Sequence, residues 1–175
     1  MAKVNLGFDD AKLLGAINAV RDNPDVGKTV WKAESHWKQG FQSEAVIPGP
    51  DGSTHTVPMD EPESLGGAGT APNMVEQVLG AYGCCLITGY VAQAGLRGVE
   101  LKGVDVELEG DLDLSGFFGL SEEVSPGYSE VRARISLNAP GATPEQIKEI
   151  HDAVQATSPV GNILTRPVVV KAELV

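Results

Sequence analysis

The stretch from 74 to 94, MVEQVLGAYGCCLITGYVAQA, is apolar or small on nearly every face of a helical wheel. Glu76, Gln77, Thr88 and Gln93 are its few polar residues. A helix that is apolar all round belongs in an interior, so the fold has to be built around this segment. Gly80, Ala81, Gly83, Gly89 and Ala92 deprive it of bulk, and each glycine costs about 1 kcal/mol of helix propensity relative to alanine. The gain is close approach to the backbone, and a second copy of the same helix is the simplest candidate for what approaches. Both cysteines of the chain, Cys84 and Cys85, lie in this segment side by side.

The remaining pattern places other elements around the helix. FDDAKLLGAINAVR at 8–21 has a helical apolar period, ended by Pro24 and Gly27. KTVWKAESHW at 28–37, FQSEAVI at 41–47 and THTVPM at 54–59 read as three strands of a meander. Their turns fall at Lys38-Gln39-Gly40 and at PGPDGS, 48–53. The Pro/Gly-rich loop 60–72 leads to the central helix, with Thr70 or Asn73 as its cap. Two strands follow, at 99–113 and 128–138, flanking an irregular loop with Phe117, Phe118 and Leu120. Those apolar residues read as cover for the core or a dimer seam, or as the wall of an apolar ligand site. Thr143-Pro144-Glu145-Gln146 starts a second amphipathic helix. SPVGNILTRP at 158–167 reads as a turn-rich segment and VVVKAEL at 168–174 as a last strand. The order α-βββ-α-ββ-α-β makes this an α+β chain with antiparallel sheet.

Several function classes are excluded. The chain has 175 residues, which fits one domain, 1–175. A net charge of −11 disfavours nucleic acid and anionic membrane surfaces as partners. No window holds the roughly 20 uninterrupted apolar residues of a spanning segment, and the N-terminus carries no secretory pattern. Adjacent cysteines cannot staple distant parts of a chain, so a reducing cytoplasmic setting is expected. His36, His55 and His151 are scattered without metal-ligand spacing, so neither zinc nor another cofactor is expected. His36 reads as a surface histidine, and Glu107, Glu109, Asp111 and Asp113 as a solvated face. The cysteines are then either buried small hydrophobes or a reactive thiol with a neighbour.

The segment EPESLGGAGTAPNMVEQVLGAYGCCLITGYVAQAGLRGVELKGVDVELEGDLDLSGFFGL resembles the core signature of the osmotically inducible protein C and organic hydroperoxide resistance (OsmC/Ohr) family. SPVGNILTRPVVVKAEL resembles that family's terminal turn and strand. The likeness covers about residues 28–175, leaving 1–27 as an extra N-terminal helix. It implies a two-layer α+β fold with a buried central helix, assembled as an intertwined homodimer with sites at the subunit interface. It also implies a cysteine that attacks an organic hydroperoxide and becomes a sulfenic acid, which a second cysteine resolves.

Carried onto this sequence, the reactive cysteine falls on Cys85, with Cys84 as a neighbouring thiol. The chain departs from the resemblance at three places. Ser158 stands where the resolving cysteine would be, Val75 stands where the hydroperoxide branch has its Glu, and the first hairpin offers Lys38 and no Arg. Glu76 matches the broader branch and is a candidate site carboxylate. As an alternative it is a first-turn acid favoured by the helix dipole. Nine residues at about 100° each set Glu76 opposite Cys85 on one regular helix. The expectation is an OsmC-like thiol peroxidase that reduces a small hydrophobic peroxide through Cys85, with an external thiol as reductant. The alternative is a non-catalytic protein on the same scaffold that binds an apolar small molecule at the dimer interface.

Overall fold

A computed structural model of the chain describes residues 4–175. The first three residues of the 1–27 extension, and the reading of the extreme N-terminus, lie outside the described residues. Helix α1 (Asp10–Asp22) is capped by Asp9, whose side chain accepts the Lys12 N–H. The meander forms as its pattern predicts: β1 (Glu34–Gln39), β2 (Gln42–Pro48) and β3 (Thr54–Met59) pair antiparallel in the order β1-β2-β3. Strand β1 starts six residues later than its β-like composition suggests, and Val30 and Trp31 are exposed ahead of it. The long helix α2 (Met74–Arg97) follows, then β4 (Gly103–Asp111), the short α3 (Leu114–Phe117), β5 (Glu130–Asn138), α4 (Pro144–Thr157) and α5 (Pro159–Thr165).

Contacts divide the chain into two compact units, one of residues 9–78 and one of residues 4–8 with 79–175. In the first, the buried residues are not apolar: they are Asp60 and Glu61. The Asp60 carboxylate accepts the N–H groups of Glu61, Ala68 and Thr70 and the Thr70 hydroxyl, at 2.9, 3.3, 3.1 and 2.8 Å. These bonds fold the loop 60–70 around one carboxylate. The Thr70 N–H is the main cause that holds its pKa below the ordinary aspartate value. Two glycines make the loop feasible. Gly66 has φ +87°, and a Cβ on Gly67 would lie 1.8 Å from the Glu61 carbonyl oxygen.

The second unit holds the apolar core. Leu86, Tyr90 and Ala94 of α2 are buried with Val99 and with Ile150 and Val154 of α4. Strands β4 and β5 pair antiparallel, and Val104, Val106, Ala133, Ile135 and Leu137 pack beneath this cluster. Alternation along both strands sends the acidic residues to the opposite face. There Glu107 lies across from Arg134 and Glu109 from Arg132. Arg132 also contacts Asp111 and Glu130, so β5 supplies countercharge to a face that β4 alone presents as acidic. Asp113 caps α3 through the Ser115 N–H.

Four expectations are corrected. First, α2 is not buried on every side: Gly83, Leu86, Tyr90 and Ala94 are buried, while Met74 and Val78 are exposed. By length and composition alone α2 would also be able to cross a membrane, which the sequence reading did not anticipate; its buried stripe here serves a globular core. Second, its glycines do not all await a second copy. A Cβ on Gly83 would lie 3.1 Å from Leu108 Cδ1, and one on Gly89 would lie 3.0 Å from Val154 Cγ1. Both admit neighbours from the same chain, whereas Gly80 faces open space. Third, residues 159–165 form helix α5, capped by Ser158, because Ser-Pro is a good helix start. Fourth, residues 168–174 form no strand among the described residues: Val168, Val169 and Val170 are exposed and no described strand pairs with them. Phe117 and Phe118 contact each other in a tilted arrangement at 5.2 Å, are half exposed and stand outside the buried cluster.

Asp60 yields a pH test. Its pKa is lower in the folded state, so its contribution is complete above the unfolded aspartate value of about 4 and is lost as pH falls below that. Asp60→Asn places an amide among four donors and is expected to lower the urea midpoint at pH 7. The gap between variant and wild type should narrow below about pH 4; a constant gap from pH 7 to 3 would contradict this role.

Candidate functional site

The site begins at the seam between α2 and α4. Tyr90 Oη and His151 Nδ1 are 2.6 Å apart, and their rings stack at 6.1 Å. Burial pushes the Tyr90 pKa up. Gly89 meets Val154, and Cys85 meets Ser158 just past the end of α4. Four residues back along α2, from 89 to 85, correspond to four residues forward from 154 to 158, so the two helices run antiparallel. Glycine at 89 lets the α4 side chain reach the α2 backbone, and that close approach brings Ser158 to the cysteine.

Cys85 Sγ and Ser158 Oγ are 3.4 Å apart. Ser158 is 7% exposed and joins two helices. Its backbone N–H donates to the Val154 carbonyl at the end of α4, and its hydroxyl oxygen accepts the Gly161 N–H of α5 at 3.1 Å. The thiol opens on a cleft of about 390 Å³ lined by Cys85, Thr88, Gly89, Ala92 and Gln93 from α2 and by Val154, Thr157, Ser158 and Pro159. Its walls are neutral: hydroxyls, one amide, one thiol and apolar groups. That volume and mixture suit a small, uncharged organic molecule.

The other sequence candidates have partners of their own. Glu76 and Asn73 form a reciprocal cap on α2: Asn73 Oδ1 accepts the Glu76 N–H and Glu76 Oε2 accepts the Asn73 N–H, each at 2.9 Å. Lys38 pairs with Glu44 on β2 at 2.5 Å. His36 sits 3.9 Å from Glu34 on β1 and is exposed. Cys84 is exposed, one residue and about 100° from Cys85 around the helix, and both thiols are free. Among the described residues no cluster of His, Cys, Asp and Glu is arranged to hold a metal.

Sequence reading did not single out Thr88, Gln93 or Thr157 as cleft residues, nor the Tyr90–His151 pair. The helical wheel carries part of the signal, since Thr88 and Ala92 follow Cys85 at three- and seven-residue spacing. Nothing local ties α2 to residues 61 to 73 positions away.

An OsmC-like protein family model matches residues 67–173. No curated protein matches the chain by sequence. Among solved structures, an OsmC-like protein from Mycoplasma pneumoniae superposes with a TM-score of 0.65 at 13% identity, covering 78% of this chain and 88% of that one. An OsmC-like protein of unknown function from Vibrio cholerae gives 0.61 at 12% identity, covering 77% and 93%. An organic hydroperoxide resistance protein OsmC from Legionella pneumophila gives 0.55 at 17% identity, covering 79% and 92%. At these identities the likeness shows the fold.

The Cys85–Ser158 geometry can be probed by putting sulfur on both sides. Ser158→Cys is expected to close a disulfide with Cys85 on mild oxidation, seen as loss of two thiols by titration and of about 2 Da in the intact mass. Two titratable thiols at positions 85 and 158 after oxidation would show that the side chains do not face each other.

Proposed function

We propose that this chain, which belongs to the OsmC-like protein family, is a one-cysteine thiol peroxidase that reduces small organic hydroperoxides at Cys85 with an external thiol as reductant. The observation that carries the reading is the Cys85 thiol at a neutral cleft, hydrogen-bonded to a buried serine.

The chemistry balances in three steps. The Cys85 thiolate attacks the terminal oxygen of ROOH, an S–O bond forms, and the O–O bond breaks. Sulfur loses two electrons to the peroxide, and the departing alkoxide takes a proton to leave as ROH. A first external thiol attacks the sulfenic sulfur, releasing water and leaving a mixed disulfide. A second thiol attacks that disulfide, restoring Cys85 and releasing the oxidised reductant. Cys84 is poorly directed to act as resolver while α2 stays regular, which is why the reductant is external. The scheme draws on neither Glu76 nor Lys38, whose charges are engaged by the α2 cap and by Glu44. Reductant thiols of this kind are abundant in the cytoplasm, the compartment this reading assumes.

The same reading includes a homodimer. Its support is apolar surface that this chain leaves open: the unpaired segment with Val168, Val169 and Val170, the exposed Trp31 and Trp37, and the open side of α2 around Val78. Sheet edges and apolar strands of this kind seek a partner. A second copy would give the C-terminal segment the strand pairing that its sequence predicts. The absence of charge in the cleft also favours a second reading, a non-catalytic protein holding an apolar ligand. Ligand retained in the native mass spectrum of a protein without turnover would favour that reading.

Purified protein is expected to consume cumene hydroperoxide in the presence of dithiothreitol. Cys85→Ser should lower turnover by at least about 100-fold, while Cys84→Ser leaves it within about twofold. Undiminished turnover in Cys85→Ser overturns the assignment. Sedimentation equilibrium should give twice the 18.3 kDa chain mass, and deletion of residues 168–175 should shift the protein toward the single-chain value; an 18.3 kDa full-length species would refute the dimer.

A further inference from the structure

A cysteine becomes a nucleophile only as its thiolate, and a thiolate in a neutral cleft needs a hydrogen-bond donor or a cation. The cleft supplies no cation. The Ser158 hydroxyl lies 3.4 Å from the sulfur, within reach of a hydrogen bond to it.

A serine hydroxyl has one hydrogen and two lone pairs. The Gly161 N–H, 3.1 Å away, occupies one lone pair of Ser158 Oγ. Ser158 is nearly inaccessible to water, and its position is fixed from both sides: the backbone N–H is bound to Val154, and Pro159 fixes the next φ. With a neutral thiol, the remaining lone pair can accept the S–H. Once the thiol has released its proton to water in the open cleft, the sulfur can only accept, and the hydroxyl hydrogen turns to it. The same contact therefore changes from accepting to donating, and it strengthens because one partner is now charged. Hydrogen bonds to charged groups are stronger than those between neutral pairs.

The geometry points to Ser158 as the group that holds the Cys85 thiolate, its hydroxyl hydrogen directed to sulfur by the Gly161 N–H behind it. The role is that of a neutral donor, and it accounts for a reactive thiol in a cleft lined without charge. It rests on the proposed reactivity of Cys85, and thiol reactivity can be measured without any peroxide.

The test is the rate of iodoacetamide alkylation at Cys85 as a function of pH, in full-length protein carrying Cys84→Ser so that one thiol reports. Ser158→Ala should slow alkylation at pH 7 about tenfold and leave the high-pH plateau unchanged, because the fraction of thiolate falls and access does not. Ser158→Thr keeps a hydroxyl and should stay within about twofold of the parent. Ser158→Asp keeps the α5 cap but sets a carboxylate beside sulfur, so it should be slower at pH 7 than Ser158→Ala. An unmoved pH profile in Ser158→Ala overturns the inference. So does a Ser158→Asp rate equal to that of the parent, which would make Ser158 only a cap. If Ser158→Ala does not fold, the Thr and Asp variants decide: Thr fast and Asp slow supports the role, and equal rates refute it. A parent protein whose Cys85 fails to alkylate at any pH overturns both this inference and the peroxidase reading. Retained peroxidase turnover with an unmoved profile overturns only this one.

Discussion

The antiparallel seam of α2 and α4 is the contact on which the rest depends. Leu86, Tyr90 and Ala94 bury against Ile150 and Val154, and each Leu, Ile or Val side chain of this kind contributes about 1.5–3 kcal/mol when fully removed from water. Gly89 lets the Val154 side chain rest on the α2 backbone. The seam gives the unit its core, orients β4 and β5 through Val106 and Ile135, and ends at the pair Cys85 and Ser158. The thiol and the core share one contact surface, so the sulfur is placed by packing and not by a flexible loop.

Polar groups that look chemical in the sequence do structural work. Asp60 is buried and folds a loop by accepting four hydrogen bonds, and Glu76 closes a cap. Lys38 spends its charge on Glu44. Arg132 of β5 pairs with Glu109 and Asp111 of β4, exposed pairs that each contribute little to stability. What remains at the thiol is a neutral environment, with the Ser158 hydroxyl facing the sulfur.

The meander, the cap of α4 and the alternation of β4 and β5 were legible because each depends on residues within one or two turns of each other: turn glycines, Thr143 with Gln146, and a period of two. The start of α2 was narrowed to Thr70 or Asn73 for the same reason, and Asn73 makes the cap, though the Glu76 side of it read equally well as a site acid. The C-terminal apolar run was predicted as a strand, since its composition is that of one. Composition cannot supply the neighbouring strand, and among the described residues 168–174 have none.

The sequence by itself determined that a long, small-residue apolar helix lies at the centre of an α+β fold. It also determined that two neighbouring thiols ride on that helix, and that no second cysteine exists elsewhere. Local periodicity and residue counts suffice for such statements. Only the tertiary structure decided which face of the helix is buried, which glycines serve the chain's own packing, and that Ser158, 73 residues away, faces Cys85. That last contact depends on how closely two helices approach, and approach distance is set by side-chain interlock across the seam, which no local stretch of sequence encodes.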